Sequence, residues 1–138
     1  MIASVTAALL LSACGGGAYL DSSGNFVIGV TIAGQFVGDT PVAAGGSLDL
    51  AIHAGQSVRL DAGEPAVWTL YVGGSAVSGG ARVTYAGAEI TATMLSQSTV
   101  VVDTYAARAL QASIPVTLVA RSNYDSAQVA TVNLLITN

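Results

Sequence analysis

From residue 26 onward apolar side chains recur at every second position, in short runs that Gly, Asn, Asp and Ser interrupt. A side-chain period of two belongs to a strand with one buried face, and a helix would need a period near 3.6. "SLDLAIH" (47–53) shows the pattern cleanly, with Leu48, Leu50 and Ile52 on one side and Asp49, Ala51 and His53 on the other. "QSVRLD" (56–61) repeats it through Val58 and Leu60, and "AVWTLYV" (66–72) through Trp68, Leu70 and Val72. "FVIGVTIAG", "ARVTYAG", "EITATML", "STVVVDTYA", "PVTLVARS" and "AQVATVNLLIT" follow the same rule, and no helical period is sustained for three turns. Short strands at regular spacing, separated by turn residues, predict an all-β sandwich or barrel. "DSSGN" (21–25) reads as a hairpin turn, and the stretch from Ala18 to Gly46 is expected to add a hairpin or a first strand.

The phase of these runs predicts a core around Trp68, with Leu60, Leu70, Leu118, Val132 and Leu134 near it. Three runs break strict alternation. Val101 lies between Val100 and Val102, Val119 between Leu118 and Ala120, and Leu135 between Leu134 and Ile136. Strand geometry sends the middle residue of each set to the opposite face. Val101, Val119 and Leu135 are therefore expected on the outside, either under the Ala18–Gly46 segment or as a contact surface.

The stretch from Ala54 to the end, through "AGQSVRLDA", "VWTLYVGGSAV" and "VTLVARSNYDSAQVATVNLLIT", resembles bacterial immunoglobulin-like domains. The resemblance implies an Ig-like β-sandwich of roughly seven to nine strands, with Trp68 in the core of its middle strand. The closing hairpin would turn through the polar loop at Ser122–Ser126.

The N-terminus is different in kind. The first thirteen residues contain no charged side chain and are too short a run to span a bilayer, which takes ~20 apolar residues. They suit the apolar region of a secretory signal, and they close on Leu11-Ser12-Ala13-Cys14, followed by three glycines. Those four residues resemble the lipobox of bacterial lipoproteins, although no Lys or Arg precedes the apolar run. The resemblance implies cleavage before Cys14 and acylation of its sulfur and its new amine. It also implies attachment to the membrane through lipid, and Gly15 resembles the outer-membrane class. The organisation expected is a signal peptide over 1–13, a Gly-rich tether over 14–18 and a domain over 19–138. Cys14 is the chain's one cysteine, so the domain is expected to be held by packing alone.

Charge narrows the function further. Only 9% of the chain is charged, the net charge is −4, and there is no Lys. The cations are Arg59, Arg82, Arg108 and Arg121. Nucleic-acid binding needs a basic footprint that this sequence lacks, and electrostatic adhesion to anionic lipid needs a polybasic one.

Chemistry-bearing constellations are sparse. His53 is the one histidine and sits at a strand end; no G-x-S-x-G elbow or phosphate loop accompanies it. Zinc would want several Cys or His ligands. Asp21, Ser23 and Asn25 have the first oxygen positions of a calcium loop. However, Phe26 stands where Gly is needed and Ile32 where a bidentate Glu is needed, so an Asx turn is expected. No catalytic residue, metal or cofactor is predicted. The reading is a structural or binding module that meets a protein or glycan partner. The alternative is a glycan-directed enzyme or enzyme accessory in which Asp61 and Glu64, bracketing "DAGEP", supply paired carboxylates.

Overall fold

The computed structural model describes residues 26–77 and 79–138. The residues expected to form a lipobox with Cys14, a signal peptide and a tether, and the turn expected at Asp21, Ser23 and Asn25, lie outside the described residues. Among the described residues there are eleven strands: β1 (Phe26–Ile32), β2 (Gln35–Val42), β3 (Ser47–His53), β4 (Ser57–Asp61), β5 (Ala66–Val72), β6 (Ser75–Val77), β7 (Arg82–Tyr85), β8 (Ala88–Met94), β9 (Thr99–Tyr105), β10 (Ile114–Ser122) and β11 (Val129–Thr137). They form a six-stranded sheet ordered β2-β1-β4-β9-β8-β7 and a five-stranded sheet ordered β3-β11-β10-β5-β6.

The all-β sandwich expected from the period is thus the fold. Within it, β1-β4-β9-β8 faces β11-β10-β5, the arrangement of strands A-B-E-D against G-F-C in immunoglobulin domains. The count exceeds the seven to nine strands expected because β2, β3 and the short β6 and β7 extend the sheets. β3 runs parallel to β11, with Asp49 opposite Asn133 and Ile52 opposite Ile136. All other pairings are antiparallel.

Local sequence explains the hairpins. β1 and β2 join through Ala33 and Gly34, which have φ of 51° and 82°. Two successive left-handed residues make the turn type whose twist matches that of the strands it joins. Ala86 and Gly87 do the same between β7 and β8, with φ of 50° and 91°.

The core lies between the sheets. Trp68, Leu60, Leu70, Leu118, Val132 and Leu134 are all buried, as their phase requires, with Phe26, Ile28 and Ile90 from the six-stranded sheet. Trp68 also crosses the sandwich: its indole N–H donates to the main-chain oxygen of Ser98, ahead of β9, at 2.9 Å. A buried indole needs such a partner.

Candidate functional site

The strand phase that fills the core leaves the other phase outside. On the five-stranded sheet the registers align these outer residues in rows. Asp49, Asn133, Thr117 and Tyr71 form one row; Ser47, Thr131, Val119 and Thr69 form the next. Val129, Arg121 and Val67 lie above, and Ala51, Leu135 and Pro115 below. Val67 is 57% exposed, Leu135 39% and Tyr71 37%. The strands of this face carry two charged side chains, Asp49 and Arg121, at separate positions. Asp49 accepts a hydrogen bond from the Asn133 amide at 2.9 Å, and Arg121 donates to the main-chain oxygen of Ser126 in the β10–β11 loop. A shallow groove of about 540 Å³ runs over Asp49, Ala51, Pro115, Thr117, Asn133 and Leu135.

The six-stranded sheet presents a different exterior. Asp39, Arg59, Asp61, Asp103, Arg82 and Glu89 all occupy its outer phase. Asp103 accepts the Ser57 hydroxyl, and Arg82 pairs with Glu89 at 3.3 Å. Val101 belongs here, between Arg59 and Thr93.

This placement corrects the expectation of one contact surface. Val101, Val119 and Leu135 do point away from the core, but Val101 lies on the opposite side of the sandwich from the other two. They therefore cannot form one patch. Of the segment expected to cover them, residues 18–25 lie outside the described residues, and its strands β1 and β2 pair at the edge of the six-stranded sheet beside β4 and lie over neither outer face. Strand phase fixes inside against outside and is silent on which sheet a strand joins. Val67 and Tyr71 were missed as surface residues, although the alternation that buries Trp68 and Leu70 already sends them outward.

Asp61 and Glu64 are both engaged within the chain. Asp61 accepts the Gly63 N–H at 2.9 Å, an Asx-type turn in which Gly63 takes φ 80°. Glu64 is buried and accepts the Ser122 hydroxyl, whose oxygen in turn accepts the Tyr124 N–H at 3.0 Å. The β4–β5 crossover is pinned further by main-chain bonds from Ala62 and Ala66 to Ser98 and Gln97, and from Asn123 to Pro65. The geometry explains both carboxylates as fasteners of this crossover.

His53 is exposed, and its Nδ1 lies 2.6 Å from the main-chain oxygen of Asn138 and 3.1 Å from the Thr137 hydroxyl. A second cleft, about 620 Å³, opens at one end of the sandwich between the β7–β8 turn and the β9–β10 loop, with Arg108 as its charged lining residue. Asn138 fixes that loop by clamping the main chain of Leu110 from both sides, accepting from its N–H at 2.5 Å and donating to its oxygen at 2.8 Å. Among the described residues no three His, Cys, Asp or Glu side chains gather as metal ligands.

In comparisons with known proteins, the chain matches no family model, no curated protein and no solved structure. The functional reading therefore rests on the molecule's own surface.

Proposed function

We propose that this protein is a lipid-anchored immunoglobulin-like module of the bacterial outer membrane that binds a macromolecular partner, protein or glycan, through the outer face of its five-stranded sheet. One observation carries the binding half of this reading: Val67, Tyr71, Val119 and Leu135 share one sheet face whose strands bear only Asp49 and Arg121 as charges. Apolar side chains left exposed among neutral polar ones on a face this poor in charge favour its being covered by a partner. A sheet face of stiff β-branched residues also loses little side-chain entropy when it is covered. The anchoring half is supported by Leu11-Ser12-Ala13-Cys14 and its resemblance to a lipobox. Two acyl chains hold a protein at a membrane stably, where one holds it reversibly.

Two measurements test the halves separately. Mass spectrometry of the membrane-extracted protein is expected to find residues 1–13 absent and Cys14 acylated; an intact Met1 with a free thiol overturns the anchor. For the face, a photo-crosslinking amino acid is placed in cells at Val67 or Leu135, with Thr93 on the other sheet as the control. Adducts from the first two positions and none from Thr93 are expected. Equal labelling from all three, or none, overturns the face as a binding surface.

A further inference from the structure

We infer that the partner of the five-stranded face is a second copy of this chain, docked about a two-fold axis that pairs Asp49 of each protomer with Arg121 of the other and brings the two Tyr71 rings together. This rests on the reading of that face as a binding surface and names its occupant.

Charge complementarity is the first argument. The outward positions of this face bear one acid, Asp49 on the edge strand β3, and one base, Arg121 on the central strand β10, so the face is neutral and complementary to itself. A two-fold contact is isologous: whatever residue 49 meets at residue 121, residue 121 meets at residue 49. The opposite exterior bears Asp39, Asp61, Asp103 and Glu89 against Arg59 and Arg82, an acidic excess that would repel its own copy.

Geometry is the second. Asp49, Asn133 and Thr117 are level across β3, β11 and β10, and Arg121 lies four residues further along β10. With ~4.8 Å between strands and ~3.3 Å per residue, Asp49 and Arg121 stand about 16 Å apart. Thr131, on β11 between them, marks the midpoint. An axis lying in the face, perpendicular to the line from Asp49 to Arg121, passes over Thr131 and then over Tyr71, which is level with Thr117 on β5. Tyr71 thereby meets its own copy on the axis, and exposed aromatics are frequent energetic anchors of contacts.

Size is the third. The five strands of this face, of 7, 9, 9, 7 and 3 residues, cover about 550 Å² in projection at ~3.3 Å by ~4.8 Å per residue. Side-chain relief raises the accessible area above that figure, toward the ~800 Å² per partner of a standard interface.

The test uses the full chain in density-matched detergent, by sedimentation equilibrium, with circular dichroism confirming that each variant is folded. The unvaried chain is expected to be dimeric. Asp49→Arg and Arg121→Asp are each expected to weaken the dimer at least about tenfold, because each sets like charges opposite one another. The double variant restores the pairing with its signs exchanged and is expected to recover the dimer. Under oxidant, Tyr71→Cys is expected to give a disulfide-linked dimer that the unvaried chain, with Cys14 alone, does not. A monomeric parent overturns the inference, as does a double variant no tighter than the singles. In the cell, photo-crosslinks from Val67 and Leu135 are expected to join two copies of this chain. Crosslinks to a different protein or to glycan overturn the self-pairing while leaving the face a binding surface; no crosslinks at all overturn both.

Discussion

The two outer faces of this sandwich stand on the same core, and they differ in almost everything the core does not fix. One carries six charged side chains in its rows, tied locally by Ser57–Asp103 and Arg82–Glu89. The other carries two charges among Thr, Val, Tyr and Leu. The same alternation produces both, so the difference cannot arise from folding requirements. Outward positions are free of the packing constraint that selects Trp68, Leu118 or Val132, so the core leaves their composition open. A charged exterior stays hydrated. A neutral one with exposed Val67 and Leu135 gains from being covered, at roughly 25 cal/mol per Å² of apolar surface removed from water.

The comparison requires that the core be shared, and the largest effect tests this. Trp68 packs from the five-stranded sheet and bonds to Ser98 beside β9 of the other. Truncating a buried aromatic costs about 3–5 kcal/mol, a large part of the ~5–15 kcal/mol that holds a domain together. Trp68→Ala is expected to lower protection against hydrogen exchange in both sheets together. Loss of protection confined to β3, β5, β10 and β11 would mean two independently stable layers, and the comparison of faces on one core would fail.

A smaller effect is expected where the sheets are fastened at their end. Ser122 closes β10, and its hydroxyl meets the buried carboxylate of Glu64 in the crossover from β4 to β5. Ser122→Ala leaves that carboxylate without its donor, and stranding a buried polar partner costs about 1–3 kcal/mol. Chemical denaturation is expected to show a lower midpoint with an unchanged slope, since the surface exposed on unfolding is the same. An unaltered midpoint would show that the main-chain bonds from Ala62, Ala66 and Asn123 hold the crossover without Glu64.

Much of this architecture is legible in the sequence. "AVWTLYV" coincides with β5, and "SLDLAIH" with β3, because strict alternation bounded by turn residues leaves little freedom of assignment. The pairing of β3 with β11 was not legible, since parallel neighbours far apart in sequence leave no local signature. β2 belongs to the hairpin that the stretch from Ala18 to Gly46 offers as one of two expectations, but its bounds were not legible for a different reason. "QFVGDTPV" is an edge strand with an irregular register at Val30/Thr31, so its apolar residues do not alternate. Phe36 and Val37, adjacent in sequence, are 66% and 62% exposed. Of the contact surface, the outward direction of Val101, Val119 and Leu135 followed from the period. Their distribution over two faces did not, because sheet membership is decided by crossovers and not by strand phase. Glu64 and Asp61, read as a candidate pair from spacing, are bound by hydrogen bonds to Ser122 and Gly63 that only the fold reveals.

The smallest effect expected is one of sign, and it separates the two faces most directly. Val101 lies opposite Arg59 on one side and Thr93 on the other; Val119 lies between Thr69 and Thr131. Directly opposed like charges on a sheet destabilise and unlike charges stabilise, by roughly 0.2–1 kcal/mol. Val101→Lys places an ammonium against the Arg59 guanidinium, whereas Val101→Glu places a carboxylate there. The Glu variant is therefore expected to be the more stable of the two by several tenths of a kcal/mol, and added salt should shrink the gap, since both groups are near water. At Val119 the directly opposed residues are neutral, so Lys and Glu are expected to give nearly equal thermal midpoints under conditions where the chain is dissociated. Melting curves of the four variants, each at two salt concentrations, decide the matter. A sign preference at Val119 as large as that at Val101 would show that Arg121 or Asp49 reaches across the neutral face. The contrast between a charged and an uncharged exterior would then be one of degree only.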